Sequence, residues 1–193
     1  MHTRRTLHEI YRFGSHIDRR SIRNYRREQI TGEQLQALIS AALASPSAMD
    51  RQPWHFTVVQ NPEILAQISR ASIEEQKKTA DEETLQKLNQ PDADIYFHAP
   101  TVFFISCEPS ASFWSYLDCG IAAENIALAA QGMGLGSVIL GSPNEAFVEP
   151  QAEKLRKLLK LPQGHEVVLS VGVGVAQENP PAHMVKEGRY HIL

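Results

Sequence analysis

Four residues near the N-terminus have the side chains best suited to binding an anion: Arg19, Arg20, Ser21 and Arg23. Guanidinium groups bind phosphate oxygens two at a time, and a serine hydroxyl adds another hydrogen-bond donor. A run of cations is also typical of a solvated surface. The four residues alone therefore leave two interpretations open, a phosphate site and an exposed cationic face.

A second patterned stretch is the polar loop over residues 45–53, which reads SPSAMDRQP. It is too polar to belong to a core, and its prolines, Pro46 and Pro53, restrict the backbone. Serine hydroxyls and backbone amides that are held in this way can position a ligand. An ordinary turn between a helix and a strand is the alternative interpretation.

Three glycines, Gly132, Gly134 and Gly136, resemble a nucleotide-binding loop. That fingerprint requires the glycines to follow a strand and to open a helix. Here they follow an apolar helix, predicted over residues 121–130, and precede a buried strand at 138–140. The glycines are therefore predicted to end a buried helix, and the apolar segment after them is brought to a site.

The sequence patterns lack the side chains needed for hydrolytic or metal-dependent chemistry. The histidines show no HExxH spacing, and no GxSxG motif marks a nucleophile elbow. Neither Cys107 nor Cys119 has the local signature of a catalytic thiol, and Glu124 is predicted to be a structural acid. We therefore predict no catalytic side chain and no metal site. This pattern favours an enzyme whose cofactor performs the chemistry.

The composition is that of a globular protein and predicts a single domain over residues 1–193. A net charge of −3 argues against a general nucleic-acid-binding protein, although eight arginines lie within the first 27 residues. The sequence shows no signal peptide and no apolar stretch of roughly 18 residues, so no membrane association is predicted. Two cysteines without a CxxC pattern are predicted to be reduced core residues, which indicates a cytoplasmic location.

Helix and strand patterns alternate irregularly along the chain, which favours an α+β fold over a doubly wound fold. A short helix over residues 5–13 is predicted to end at Gly14, and Thr31 with Gln34 predicts a capping box for the next helix. The remaining predicted elements are strands at 54–59, 101–106 and 167–175, a helix opened by Asn61-Pro62, a solvated helix over 72–90 and a helix capped by Asn144. The polar tail, 179–193, is predicted to lie along another surface.

In this order and at this spacing, the motifs resemble the FMN-dependent nitroreductase family. The segments that carry the resemblance are RRSIRNY at 19–25, SPSAMDRQPWHF at 45–56, APTV at 99–102, the buried helix with GMGLG at 132–136, and LPQGHEV at 161–167. No single segment is decisive, whereas their order and spacing are. The resemblance spans nearly the whole chain.

The resemblance implies a binding site for FMN at a dimer interface. By this comparison, Arg19, Arg20 and Ser21 bind the phosphate and the ribityl chain, and Arg23 lies near the N1–C2=O edge of the flavin. The backbone that ends in Ile139, Leu140 and Gly141 packs on the ring, close to N5. The other implied contacts are Ser45, Pro46, Ser47 and Gln52 from the partner protomer, and the C-terminal basic candidates Lys186 and Arg189 beside the phosphate.

The resemblance also implies a fold and an activity. The expected fold is a three-layer sandwich, with a central mixed and mostly antiparallel sheet between helices, in an intertwined homodimer. The expected activity is the NADH- or NADPH-dependent reduction of a small planar electrophile, such as a nitroaromatic compound or a quinone, by ping-pong hydride transfer through FMN. The alternatives are a reductive dehalogenase, a flavin-fragmenting enzyme and a non-catalytic flavin-binding protein. The chain departs from the family at Asp50, where asparagine is common.

Overall fold

The computed structural model describes residues 14–109, 112–184 and 186–193. Four strands form one sheet: β1 (His55–Val59), β2 (Thr101–Cys107), β3 (Gly136–Leu140) and β4 (Glu166–Gly174). The order across the sheet is β1-β2-β4-β3, and each of the three pairings is antiparallel. An isolated parallel bridge joins Ser21 to Ser137 of β3. The predicted sheet, mixed and mostly antiparallel, is therefore confirmed.

Helices lie along both faces of this sheet. They are α1 (Gly14–Asp18), α2 (Gly32–Leu43), α3 (Pro62–Gln76), α4 (Glu82–Leu88), α5 (Phe113–Gly132) and α6 (Ala152–Leu158), with short 3-10 turns at Ala48–Asp50 and Ser142–Ala146. None of the helices in the described ranges is both long and apolar enough to cross a membrane.

Side-chain caps explain where α2 and α3 begin. The Thr31 hydroxyl accepts a hydrogen bond from the Gln34 amide at 3.1 Å, and the Gln34 side chain accepts one from the Thr31 amide at 2.9 Å. At α3, the Asn61 side chain accepts from the Glu63 amide at 2.8 Å, with Pro62 in the first turn. Both caps satisfy backbone donors that have no partner within the helix. The two helix starts predicted from the sequence are confirmed.

Two hydrophobic clusters form the core, one on each face of the sheet. Strand β2 supplies Phe103 and Ile105 to one cluster and Phe104 to the other, because successive side chains of a strand point to opposite faces. Helices α2 and α5 contribute to the first cluster, and α3 and α6 contribute to the second. This arrangement is the predicted α+β sandwich of three layers. Burial on both faces explains why β2 has a continuous apolar run from Val102 to Ile105.

The glycines after α5 end the helix in a Schellman motif. Gly134 has a φ of 72° and donates to the Gln131 carbonyl at 3.1 Å, and Leu135 donates to the Ala130 carbonyl at 2.9 Å. These two hydrogen bonds satisfy carbonyls of the last turn, and glycine adopts the left-handed conformation without strain. The glycines are therefore a helix cap, as predicted, and the chain turns directly into β3.

Gly14 is the first described residue of α1, which ends at Asp18. The predicted helix over 5–13 lies outside the described residues, so its predicted end at Gly14 stays a prediction.

Two helix boundaries differ from the predictions. The polar stretch 72–90 is not one helix, because α3 ends at Gln76 and the Asp81 side chain caps the separate helix α4. Asn144 does not cap a helix, because its side-chain amide donates to the Val168 carbonyl of β4 from within a 3-10 turn. Asp81 therefore acts as a local helix cap, whereas a contact with a distant strand takes up the Asn144 side chain.

Gly174, at the end of β4, has no room for a side chain. A Cβ atom there would lie 2.6 Å from Pro100 Cδ and 3.1 Å from Tyr25 Cδ1. We expect Gly174→Ala to lower the free energy of unfolding by about 1–3 kcal/mol, the usual cost of overpacking a core. Gly32→Ala is the matched control, because a Cβ at Gly32 would meet nothing within 4 Å. Urea titrations measure both variants, and equal unfolding midpoints would contradict this expectation.

Candidate functional site

The arginine-rich segment 19–25 runs beside the free edge of β3. The Ile22 amide donates to the Ser137 carbonyl at 2.9 Å, and Ser21 forms the parallel bridge to the same residue. Gly136 permits this close approach, because a Cβ there would lie 2.8 Å from Ile22 Cγ1. Farther along, Tyr25 pairs with Ala176 after β4. The sheet therefore fixes the backbone from which the arginine side chains project.

Arg19, Arg20, Ser21 and Arg23 come together around one cavity of about 230 Å³. We call it the arginine cavity, and its remaining lining residues are Pro180, Pro181 and His183 of the tail. The structure therefore brings the four N-terminal candidates together. Three guanidinium groups and a hydroxyl around a small cavity form a donor set that suits a phosphate.

Two of the guanidinium groups are held by neighbours in the chain. Arg19 Nε lies 3.4 Å from Glu124 Oε1 of α5, which makes Glu124 the structural acid that the sequence predicted. Arg20 Nη1 donates to the Ile17 carbonyl at 2.6 Å and to the Arg19 carbonyl at 2.8 Å. Each side chain carries several N–H donors, so these contacts orient the group while other donors remain for a ligand.

A larger cavity, of about 510 Å³, shares Arg23 with the arginine cavity. We call it the connector cavity, because much of its lining comes from residues 90–98, which connect α4 to β2. Leu88, Ile95 and Phe97 give it apolar walls, and the Arg23 guanidinium carbon lies 5.7 Å from the centre of the Phe97 ring. Arg23 thus stands between a cationic cavity and a mainly apolar one.

The connector itself adopts a strained conformation that the sequence analysis missed. Phe97 and His98 have φ values of 55° and 59°, although neither is a glycine. The Asp94 carboxylate stabilises this turn by accepting from the Tyr96 and His98 amides, each at 3.0 Å. Residues held in the left-handed region often lie at functional sites. Here the turn places Phe97 beneath Arg23.

The end of β3 lies next to the connector cavity. Ile139 and Leu140 are half-buried and Gly141 is exposed, while the adjacent Ser142 lines the cavity. The Gly141 carbonyl accepts from the Asn144 amide at 3.1 Å, which fixes the peptide where the strand ends. This backbone is therefore in a position to pack against a ligand that occupies the cavity.

The loop over residues 45–53 is anchored to α5 and lines neither cavity. Both oxygens of the buried Asp118 accept from the Ala48 amide, at 3.1 and 3.3 Å, and the Asn125 side chain donates to the Ser45 hydroxyl at 2.9 Å. Within the single chain, the structure therefore does not bring the loop to the arginines.

Within the loop, further hydrogen bonds fix the remaining predicted residues. The Gln52 amide donates to the Ser47 hydroxyl at 2.9 Å, and the Gln52 side chain donates to Asp50 at 2.8 Å. Pro46 is exposed. Asp50 is thus held by Gln52, and the described ion pairs contain none between Asp50 and Arg51. The loop presents a preformed polar surface away from its own arginine cavity.

The basic residues of the tail do not reach the arginine cavity. Lys186 and Arg189 are exposed and line neither cavity, whereas His183 does line the arginine cavity. Lys186 and Arg189 were predicted because the family resemblance implies basic residues beside the phosphate, and the histidine was not among the candidates. No other signal in the tail marks His183, because its position depends on where the chain leaves β4.

His98 Nδ1 lies 3.2 Å from Asp94 Oδ2 in the lining of the connector cavity, and burial shifts the pKa values of other side chains in the fold. Burial raises the pKa of the Tyr25 hydroxyl far above its ordinary value, with the Glu178 carboxylate adding to the shift. Burial likewise raises the pKa values of the Cys107 and Cys119 thiols, which are both fully buried and so poor nucleophiles. Among the residues that the structure describes, no group of three His, Cys, Asp or Glu side chains is arranged to hold a metal.

Comparisons with known proteins identify a family and several relatives. A family model described as the Nitroreductase family matches residues 17–175. A protein of Methanothermobacter thermautotrophicus, with the provisional name NADH dehydrogenase/NAD(P)H nitroreductase, is 34% identical over 167 residues, which cover 84% of this chain and 75% of that protein. A nitroreductase crystal structure with bound FMN, from Bacteroides fragilis, has a TM-score of 0.86 and 29% identity and covers 95% of this chain and 98% of that chain. An iodotyrosine deiodinase of Thermotoga neapolitana is 28% identical over 164 residues, or 80% of this chain and 83% of that protein.

Proposed function

Because this chain belongs to the nitroreductase family, we propose that it is an FMN-dependent oxidoreductase that uses NADH or NADPH to reduce small planar acceptors. Nitroaromatic compounds and quinones are the acceptors that we expect, through a ping-pong reaction in which donor and acceptor bind in turn. When bound, FMN supplies the redox chemistry, because it takes electrons from a reduced nicotinamide and gives them to an acceptor.

One observation carries the proposal: the arginine cavity and the connector cavity meet at Arg23. FMN has the same two parts, a phosphate monoester at one end and a planar ring system at the other. The small cavity offers guanidinium and hydroxyl donors, and the larger one offers apolar walls beside the end of β3. The residues present therefore fit this cofactor in charge and in polarity.

Within this site, each part of the chain has a distinct role. Arg19, Arg20 and Ser21 bind the phosphate, and Arg23 presents a cation to the ring. The backbone of Ile139, Leu140 and Gly141 packs against the ring and excludes water from it. None of these residues needs to transfer a proton, so specificity for the acceptor comes from the shape and charge of the open side of the site.

We propose that the enzyme is a homodimer in which the partner protomer completes the site. Helix α5 exposes an apolar stripe, in which Phe113 is 72% and Trp114 is 58% exposed and Leu117 and Ile121 continue the same face. A contiguous apolar surface of this kind is typical of a protein interface. The loop bearing Ser45, Pro46, Ser47 and Gln52 is anchored to the same helix, so an α5-mediated dimer would carry this loop to the partner's cavities.

Arg23→Ala is expected to lower the reduction potential of the bound flavin by about 20–40 mV, with a smaller effect on FMN affinity. A cation beside the ring stabilises the negative charge that reduction adds, and the exposed position of Arg23 limits the size of the effect. Spectroscopic redox titration against a dye of known potential measures the shift.

Two variants serve as controls for Arg23→Ala. Arg23→Lys keeps the charge and should recover most of the potential. Arg27→Ala also removes a cation close to the arginine-rich segment, but Arg27 lines neither the arginine cavity nor the connector cavity. This variant should leave the reduction potential unchanged. An equal shift in Arg27→Ala would mean that the potential senses only the net charge of the protein.

The proposed function has a direct test with the purified protein. Chromatography of the released flavin identifies the cofactor, and steady-state oxidation of NADH and of NADPH is followed with a nitroaromatic compound and with a quinone. We expect FMN and an acceptor-dependent rate. Protein that holds FMN but oxidises neither nicotinamide would indicate a flavin-binding protein, and protein that takes up no FMN would overturn the proposal.

The iodotyrosine deiodinase relative supports a second candidate function, reductive removal of halide from an aromatic ring. The same purified protein can be supplied with dithionite and iodotyrosine, and iodide release is measured. Iodide release that is faster than nitroaromatic reduction would favour this second function over the first.

A further inference from the structure

We propose that His183 is a further side-chain ligand of the cofactor phosphate, and that its charge makes the retention of FMN depend on pH. This inference rests on the proposed function, because it requires the phosphate to occupy the arginine cavity. His183 is the titratable side chain that the C-terminal tail adds to the lining of that cavity. It faces the cavity together with Arg19, Arg20, Ser21 and Arg23.

The path of the tail explains why this residue reaches the cavity. The Gln177 amide donates to the Asn24 carbonyl at 2.9 Å, so the chain leaves β4 beside the arginine-rich segment. Pro180 and Pro181 follow, and two consecutive prolines restrict the backbone to an extended course. Both prolines line the cavity, and they direct His183 to the same place.

The charges around His183 come from three elements of the fold. The segment 19–25 contributes the three arginines, α5 contributes Glu124, which is paired with Arg19, and the tail contributes Glu178, which accepts from the Arg23 amide. Guanidinium groups stay protonated throughout the physiological range, and carboxylates ordinarily change charge at more acidic pH. Histidine is the side chain whose charge ordinarily changes between pH 5 and 8.

The sign of the pH dependence follows from these charges. A protonated histidine donates a charge-assisted hydrogen bond to a phosphate, whereas neutral imidazole offers a weaker, uncharged contact. Bound phosphate in turn favours the protonated histidine, so the contribution is complete at acidic pH and disappears as the pH rises. FMN should therefore be held more tightly near pH 6.5 than near pH 8.5.

The test measures FMN release from the holoprotein by the fluorescence of the free flavin after dilution, at about pH 6.5 and at about pH 8.5. For the unchanged protein we expect the Kd for FMN to rise about three- to tenfold over this interval. His183→Arg keeps a permanent charge and should remove the rise. His183→Gln keeps a donor without the charge and should give the weaker affinity at both pH values.

A matched control separates this effect from a general response of the tail. His191→Gln changes a histidine that is exposed and lies outside the arginine cavity, so the rise in Kd with pH should persist. The phosphate's own second ionisation, near pH 6, affects all variants equally.

The outcomes distinguish this inference from the proposed function. Protein that holds no FMN at either pH would overturn the proposed function itself. Protein that holds FMN with the same Kd at both pH values, or with the same rise in His183→Gln, would overturn only the role of His183. A rise that disappears in His183→Arg and persists in His191→Gln would support it.

Discussion

Arg19→Ala is expected to raise the Kd for FMN by about 30- to 100-fold, while the reduction potential of the flavin that still binds stays nearly unchanged. A guanidinium contact to a phosphate contributes roughly 2–2.7 kcal/mol, and this difference in free energy corresponds to the stated change in Kd. The phosphate has the same charge in both redox states, so its contacts do not distinguish them. Fluorescence titration and redox titration of the same preparation measure both quantities.

The contact between Arg19 and Glu124 makes this expectation sharper. In the unchanged protein, the Glu124 carboxylate of α5 lies 3.4 Å from the Arg19 guanidinium, next to the arginine cavity. Removing Arg19 leaves this carboxylate without its ion-pair partner. That negative charge repels the phosphate. Arg19→Ala combined with Glu124→Gln should therefore recover part of the affinity, because the second change removes this negative charge and leaves an uncharged amide in its place.

Arg26→Ala is the matched control for Arg19→Ala. Arg26 lies in the same arginine-rich N-terminal region, is exposed, pairs with Glu28 at 3.7 Å and lines neither cavity. Its loss should change the Kd for FMN by less than about twofold, because exposed ion pairs contribute little. If both variants weaken FMN binding equally, the arginines act through the net charge of the region and not through contact with the phosphate.

The arginine cavity could be predicted from the sequence because its cations lie close together along the chain. Arg19, Arg20, Ser21 and Arg23 fall within five positions, and one extended backbone brings them to the edge of β3. Local spacing is sufficient in such a case. The capped helices and the doubly buried strand β2 were predictable for the same reason, since a short pattern decides each of them.

The connector cavity was not predictable, because its shape depends on contacts between distant residues. Nothing in the sequence requires Phe97 and His98 to adopt left-handed backbone angles, which are unusual for such residues. The turn forms because Asp94 satisfies its amides and because Arg23, far away in the sequence, lies over Phe97. Backbone propensities of single residues include neither the Asp94 hydrogen bonds nor the contact between Arg23 and Phe97.

In the C-terminal tail, the charge of a side chain does not indicate whether it reaches the arginine cavity. Lys186 and Arg189 are the obvious anion ligands by type, yet the point where the chain leaves β4 brings His183 to the cavity first. The pairing of Gln177 with Asn24 sets that point, and it is a feature of the folded sheet. The folded sheet, and not the charge pattern of the tail, therefore determines which tail residue lines the cavity.

Leu117→Arg is expected to yield a monomer that loses at least about nine-tenths of its FMN. Leu117 lies on the exposed apolar stripe of α5, and a cation there cannot be buried against a second copy without a large desolvation cost. Sedimentation and the flavin absorbance per chain measure the two effects. Gln36→Arg is the control, because it adds the same charge at an exposed position of α2. A stable monomer that keeps its FMN would contradict the shared site.

A mixed dimer tests which protomer supplies the loop. Arg19→Ala impairs the arginine cavity, and Pro46→Trp is expected to obstruct the ring site to which the proposed dimer would bring the exposed Pro46, so either variant alone has two impaired sites. If the loop of one protomer serves the arginines of the other, a mixed dimer pairs the intact arginines of the Pro46→Trp chain with the intact loop of the Arg19→Ala chain. Co-expression with two affinity tags should then recover about half of the normal FMN content. If each loop serves the arginines of its own chain, one site of the mixed dimer contains Arg19→Ala and the other contains Pro46→Trp. Neither site is then intact, so the mixed dimer should recover no FMN.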